Sequence, residues 1–236
     1  MKVVVLTRNP RGIASRFLAR GTVEVERVIL DESAGTTLRR KLRKLRRVGP
    51  TALPVGLALR RAYADAGSGP PLAELSVEVV RVPTLDGPEA RAALAGADVA
   101  VSLDNTLISE ATFSTPLLGT INVHHGAVPG YRGGPPVFWE LADGRDRAGF
   151  TVHRIDAGID TGPVLAEGDV PIERRPTLRD TLAATIPVLH GASLDALEEV
   201  LRRGELEGRP QQPGGPARTT PTLRDYLRVR RSLRGP

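Results

Sequence analysis

Two hydrophobic periods take turns along this chain of 236 residues. Short apolar runs of strand character cover 2–7, 23–30, 77–82 and 98–103. Each is bounded by Gly, Pro, Asn or Asp, the residues that punctuate elements. Between them lie segments with apolar residues at helical spacing: 13–20, 90–95, and a longer region broken at Gly49-Pro50. Further on, strand patterns recur at 120–124, 150–155 and 164–170. Helical patterns recur near 137–142, over 177–201 and over 223–233. Strands that alternate with helices predict an α/β fold, a Rossmann-like, mainly parallel sheet with helices on both faces. A short C-terminal extension of helix and loop follows. The expected division is a catalytic domain over 1–172 and a C-terminal helix with a Pro-, Gly- and Arg-rich tail over 173–236 packed on it.

Composition changes this picture little. One sizeable core fits the length. The 25 glycines and 20 prolines fall mostly in loops, and the absence of cysteine rules out a disulfide scaffold or thiolate metal site. The first apolar run is too short for a signal peptide or membrane span, so a cytoplasmic protein is expected.

Charge adds one feature. The net charge is +6, yet residues 38–47, LRRKLRKLRR, carry seven basic residues and leave a net −1 elsewhere. Leu38, Leu42 and Leu45 share one stripe, which predicts a basic amphipathic helix. Its candidate partners are solvent alone, a phosphate-bearing substrate or an anionic membrane surface. With 3% aromatics and no stacking motif, nucleic acid is not an expected partner.

The chemistry concentrates between 119 and 164, which holds three of the four histidines and the only tryptophan. In the strand at 120–124, Asn122 and His124 are two residues apart and so share a face. The strand then breaks into a loop at its carboxyl end, where open α/β sheets form their ligand crevices. Asp160 follows in the glycine-rich loop 156–162. An amide, an imidazole and a carboxylate suit acyl transfer to an amine without a covalent enzyme intermediate. Asn122 and His124 stabilise the developing oxyanion, and Asp160 accepts a proton or orients the imidazole. His153 and His190 read as structural, Trp139 as helix packing, and no His, Asp or Glu spacing suggests a metal site.

Asn122-Val123-His124, then Pro129-Gly130-Tyr131-Arg132-Gly133, then Gly158-Ile159-Asp160-Thr161-Gly162, together resemble the motifs of formyltransferases that use 10-formyltetrahydrofolate. The resemblance is strongest over 98–171. It implies that Asn122, His124 and Asp160 are catalytic, that 10-formyltetrahydrofolate is the cosubstrate, and that no metal takes part. It also implies a folate site along Asn105, Thr106, Leu107 and Ile108 and around Asp156 and Gly158. Tyr131, Arg132 and His125 are the candidates for contact with the acceptor. The first loop, 8–15, only loosely matches the phosphate loop of glycinamide ribonucleotide formyltransferases.

The 64 residues after Ile172 are too few for the β-rich tRNA domain of methionyl-tRNA formyltransferases. A small amine is therefore the expected acceptor. A nucleotide- or carrier-linked aminosugar comes first, with an amino-acid-derived or hydroxylamine acceptor as the alternative. A different class of function is a non-catalytic module that docks through its basic helix to a membrane or acidic partner.

Overall fold

The computed structural model describes residues 1–33, 52–64, 66–105 and 107–234. The basic stripe at 38–47 and Thr106 lie outside the described residues. Seven strands form one sheet: β1 (Val3–Thr7), β2 (Val25–Asp31), β3 (Glu78–Val82), β4 (Val99–Leu103), β5 (Thr120–His124), β6 (Arg147–Arg154) and β7 (Val164–Pro171). Their order is β3-β2-β1-β4-β5-β6-β7. The neighbours from β3 across to β5 run parallel, while β6 is antiparallel to both β5 and β7. The sheet is thus mainly parallel, as the alternation of elements implies. The β6–β7 pair is antiparallel because only the loop 155–163 joins these strands, too short for a parallel crossover.

The central strands β1 and β4 are buried along their whole length, which is why they read as nearly continuous apolar runs. Alternation divides them between two faces. Val3 and Val5 pack with Val99 and Val101 against Ile13 and Phe17 of α1 (Ile13–Arg20). Val4 and Leu6 pack with Ile29 and Ala100 against Ala90 and Leu94 of α3 (Pro88–Leu94), where Phe113 of the short α4 (Glu110–Phe113) also packs. A third cluster joins α2 (Ala52–Tyr63), β6 and α5 (Phe138–Ala142), with Val229 supplied by α7 (Leu223–Ser232).

One long helix, α6 (Leu178–Arg203), ties two of these clusters together, giving Leu182 and Leu189 to the third and Leu194 and Leu197 to the first. Thr177 caps its start by accepting the Asp180 N–H, and Gly204 closes its end with φ 72°. Among the described residues no helix is long and apolar enough to cross a membrane.

Glu140 on α5 is a buried acid at 3% exposure. Burial lifts its carboxyl to about 7, against the opposing pull of its own and the Gly149 backbone N–H and of Arg218. A carboxyl raised in the folded state stabilises fully below about 4.5 and loses that contribution as pH rises through 7. His190, lowered by burial and by Arg16 to about 4, loses its contribution in the opposite sense, as pH falls from 6.5. The two slopes oppose each other between pH 4.5 and 6.5. Glu140→Gln is therefore expected to stabilise the protein by about 3 kcal/mol at pH 8 and to leave it more acid-sensitive than the parent. Urea midpoints at pH 5 and pH 8 measure both. Equal stabilities of parent and variant at pH 8 would rule out a strained carboxylate.

Candidate active site

The strand order reverses between β1 and β4, and the ligand crevice of such a sheet lies beyond the carboxyl ends of these strands. A cleft of about 450 Å³ opens there, lined by Asn122, His124, His153 and Asp160, with Asp104 and Asn105 opposite. Ile121 and Val123 point into the first core cluster. The alternate positions, Asn122 and His124, line the cleft.

Asp160 reaches the strand residues from the β6–β7 loop, on a left-handed backbone at φ 51°. One carboxylate oxygen is 3.4 Å from His124 Nδ1 and the other 3.6 Å from His153 Nε2. The Gly133 N–H donates to the first oxygen at 2.7 Å. Burial alone raises Asp160; the two imidazoles and this N–H overcome it and hold the carboxyl at about 2. Burial lowers His124 below the usual imidazole value, opposed by Asp160 and the Tyr131 carbonyl. Its Nε2–H donates to Tyr131 O at 2.7 Å, so Nδ1, facing Asp160, is the nitrogen free to take a proton.

His153, expected from sequence to be structural, sits inside the site. It is the register partner of Asn122 across β5 and β6. Its Nδ1–H donates to Arg154 O at 2.7 Å, and its Nε2 accepts from Asn122 Nδ2 at 3.2 Å. The second N–H of the Asn122 amide is left for a ligand in the cleft. Asp104 is the other residue the motifs did not single out. Left-handed at φ 59°, it accepts the Ile13 N–H at 3.0 Å and lines the cleft, a smaller cavity of about 160 Å³ and a third depression. Crowding by protein raises its carboxyl, against the Ile13 and Asn9 donors.

The other sequence candidates divide. Asn105, Leu107, Ile108, Asp156, Gly158 and His125 all line the cleft. Asn105 is tied to the sheet by donating to Leu6 O at 2.7 Å and Ser102 Oγ at 3.0 Å. Asp156 folds its own loop, accepting from Gly158 N and Thr161 Oγ1. His125 stacks on His190 at 4.7 Å, and burial first, then the two neighbouring histidines, pushes it well below the usual imidazole range. Tyr131 and Arg132 do not line the cleft. The Tyr131 hydroxyl donates to Asp143 at 3.2 Å with its ring under the Arg218 guanidinium, and Arg132 donates to Gly215 O. These side chains join the loop to the end of α5 and to the C-terminal tail. Trp139 likewise packs beside Phe138 and donates to Gly134 O and Thr219 O.

Residues 88–201 match the family model described as formyl transferase. This segment, just under half of the chain, is similar to formyl transferases. Methionyl-tRNA formyltransferase from Ruegeria pomeroyi is 36% identical over 148 residues, covering 60% of this chain and 47% of the relative. The same enzyme from Sorangium cellulosum is 35% identical over 145 residues, covering 58% and 45%. The chain thus spans about half the length of the curated relatives it matches. Among solved structures, glycinamide ribonucleotide transformylase 1 from Symbiobacterium toebii covers 91% of this chain and 94% of its own at 20% identity and TM-score 0.57. A sugar N-formyltransferase from a Shewanella species covers 98% and 87% at 15% identity and TM-score 0.60. These two structures share the fold.

Within the matched segment, Gly133 is a point of close approach. Its φ is +78°, and a Cβ there would stand 2.2 Å from the Arg218 carbonyl oxygen. Gly133→Ala adds about 1–2 kcal/mol of left-handed strain and forces the tail away. A lower urea midpoint and faster proteolysis near 215–220 are expected. Parent-like values in both would show that the loop does not depend on this contact.

Proposed function

We propose that the chain is an N-formyltransferase that moves the formyl group of 10-formyltetrahydrofolate to the amine of a small acceptor. The observation that carries this reading is the meeting of Asn122, His124 and Asp160 in one cleft, within a segment of formyl transferase type. The acceptor nitrogen bonds to the formyl carbon, and negative charge moves onto the formyl oxygen, where the free Asn122 N–H stabilises it. The attacking nitrogen gives its proton to His124 Nδ1, and the Asp160 carboxylate stabilises the imidazolium so formed. The bond from the formyl carbon to folate N10 then breaks, and N10 takes up a proton.

The acceptor placed first is a nucleotide- or carrier-linked aminosugar, after the sugar N-formyltransferase whose fold covers nearly all of this chain. An amino-acid-derived or hydroxylamine acceptor is the alternative from the same chemistry. The 36% identity to a methionyl-tRNA formyltransferase favours a second reading, with the amine carried on methionyl-tRNA.

The test is calorimetric titration with 5-formyltetrahydrofolate at two salt concentrations, followed by formyl transfer from 10-formyltetrahydrofolate to each acceptor class. Folate binding weakened by Asp160→Ala, with turnover of one class, is the expected result. Binding to anionic vesicles without folate binding would replace this reading with the docking module.

A further inference from the structure

Asp160 occupies a backbone region that side chains avoid, and it is held there from both ends by the same stretch of tail. On the carboxylate side, its hydrogen bond comes from Gly133, whose loop is pinned by Arg218. Arg218 N donates to Arg132 O at 2.7 Å and its carbonyl accepts from Gly134 N at 3.3 Å. On the backbone side, Gln211 Nε2 donates to Asp160 O at 3.0 Å and to Gly162 O at 2.7 Å. Both N–H groups of one amide thus staple the two ends of the Asp160-Thr161-Gly162 turn. The staple has a fixed base, because Arg209, two residues earlier, exchanges both backbone hydrogen bonds with Val164 at 2.7 and 2.8 Å. Across the turn Gly162 already lies against β6, where a Cβ would stand 2.0 Å from Arg154 O.

We infer that Gln211 is a positioning residue for formyl transfer: its amide fixes the Asp160 backbone so that the carboxylate meets His124 Nδ1. This rests on the assignment of Asp160 and His124 to the reaction. General stability is a poor explanation for the residue. Gln211 Oε1 is buried without a partner, a desolvation cost that an apolar side chain would avoid. What the glutamine supplies is two donors at one point, beside a non-glycine residue at positive φ.

The experiment compares Gln211→Met, which keeps the bulk and loses both donors, with Gln211→Lys, which restores donors to the same carbonyls. A displacement of the base's partner by even 1 Å can lower turnover on the order of 10²-fold. Gln211→Met is expected to lower kcat by about 10–100-fold with KM little changed, and Gln211→Lys to recover much of the loss. The second readout is the titration of His124 by NMR, which needs no substrate. The titratable groups around His124 are Asp160, His153 and His125. Of these groups only Asp160 raises it, beside the Tyr131 carbonyl, so the Met variant should move the His124 titration to lower pH while the melting temperature stays close to the parent's. An unmoved His124 titration overturns the inference, whether kcat holds or falls together with stability. A parent protein with no formyl transfer overturns the proposed function instead, and the titration still decides whether Gln211 sets the Asp160–His124 contact.

Discussion

His124→Ala, Asp160→Asn and the double variant are expected to lower kcat/KM by similar amounts, each on the order of 10²–10⁴-fold. The reason is that, in the proposed mechanism, the two groups handle one proton. His124 Nε2–H is committed to the Tyr131 carbonyl at 2.7 Å, so only Nδ1 can receive the proton of the attacking amine, and the Asp160 carboxylate 3.4 Å away stabilises the cation that results. Removing either leaves the other without its task, and groups that act as one unit do not lose rate independently. Losses that multiply in the double variant would separate the two roles. The pH profile supplies a second check. Burial, only partly offset by Asp160 and the Tyr131 carbonyl, holds His124 below 6.5, and the proposed proton transfer needs the neutral ring. Activity is therefore lost as pH falls through that lowered value. Asp160 stays ionised down to about 2 and adds no further limb above that pH. In Asp160→Asn the carboxylate that raises His124 is gone, so the acid limb should move to lower pH even as the rate drops. An acid limb that stays in place would mean that the carboxylate does not couple to this imidazole.

The parts of this arrangement that were readable in the sequence are those set by local periodicity. The nearly continuous apolar runs of β1 and β4 announce buried parallel strands. Alternation along β5 puts Asn122 and His124 on one side and Ile121 and Val123 on the other. The glycines around Asp160 announce a tight loop. What was not readable depends on pairings between distant segments. His153 enters the site because β5 and β6 pair with Asn122 opposite His153, and nothing in either strand alone sets that register. Gln211 bonds only to backbone carbonyls, which leave no mark in the side-chain pattern of the loop it holds. Tyr131 and Arg132 were visible as a motif, but their partners, Asp143, Arg218 and Gly215, lie on a helix end and in the tail. Asp104 belongs to the same class. Its role at the meeting of three cavities follows from the switch in strand order, while its neighbours in sequence suggested only a strand end.

Asn122→Ala is expected to lower kcat by about 10²–10³-fold, the usual effect of removing one oxyanion donor. The Asn122 amide is suited to that role by what holds it. One N–H is fixed on His153 Nε2 at 3.2 Å, and His153 is in turn oriented by donating Nδ1–H to Arg154 O at 2.7 Å. The second N–H is thereby fixed before any substrate arrives, and in the proposed mechanism no reorganisation is needed as charge develops on the formyl oxygen. This arrangement separates the roles of the two residues. His153→Ala leaves the donor in place but free to rotate, so its loss should be smaller than that of Asn122→Ala. Asn122→Asp should be the more damaging change of the two at position 122, because it keeps the shape, removes the donor and sets a negative charge against the oxyanion. Single-turnover rates with saturating folate separate these effects from binding. An aspartate variant faster than the alanine one would place the formyl oxygen away from residue 122 and assign oxyanion stabilisation to another donor in the cleft.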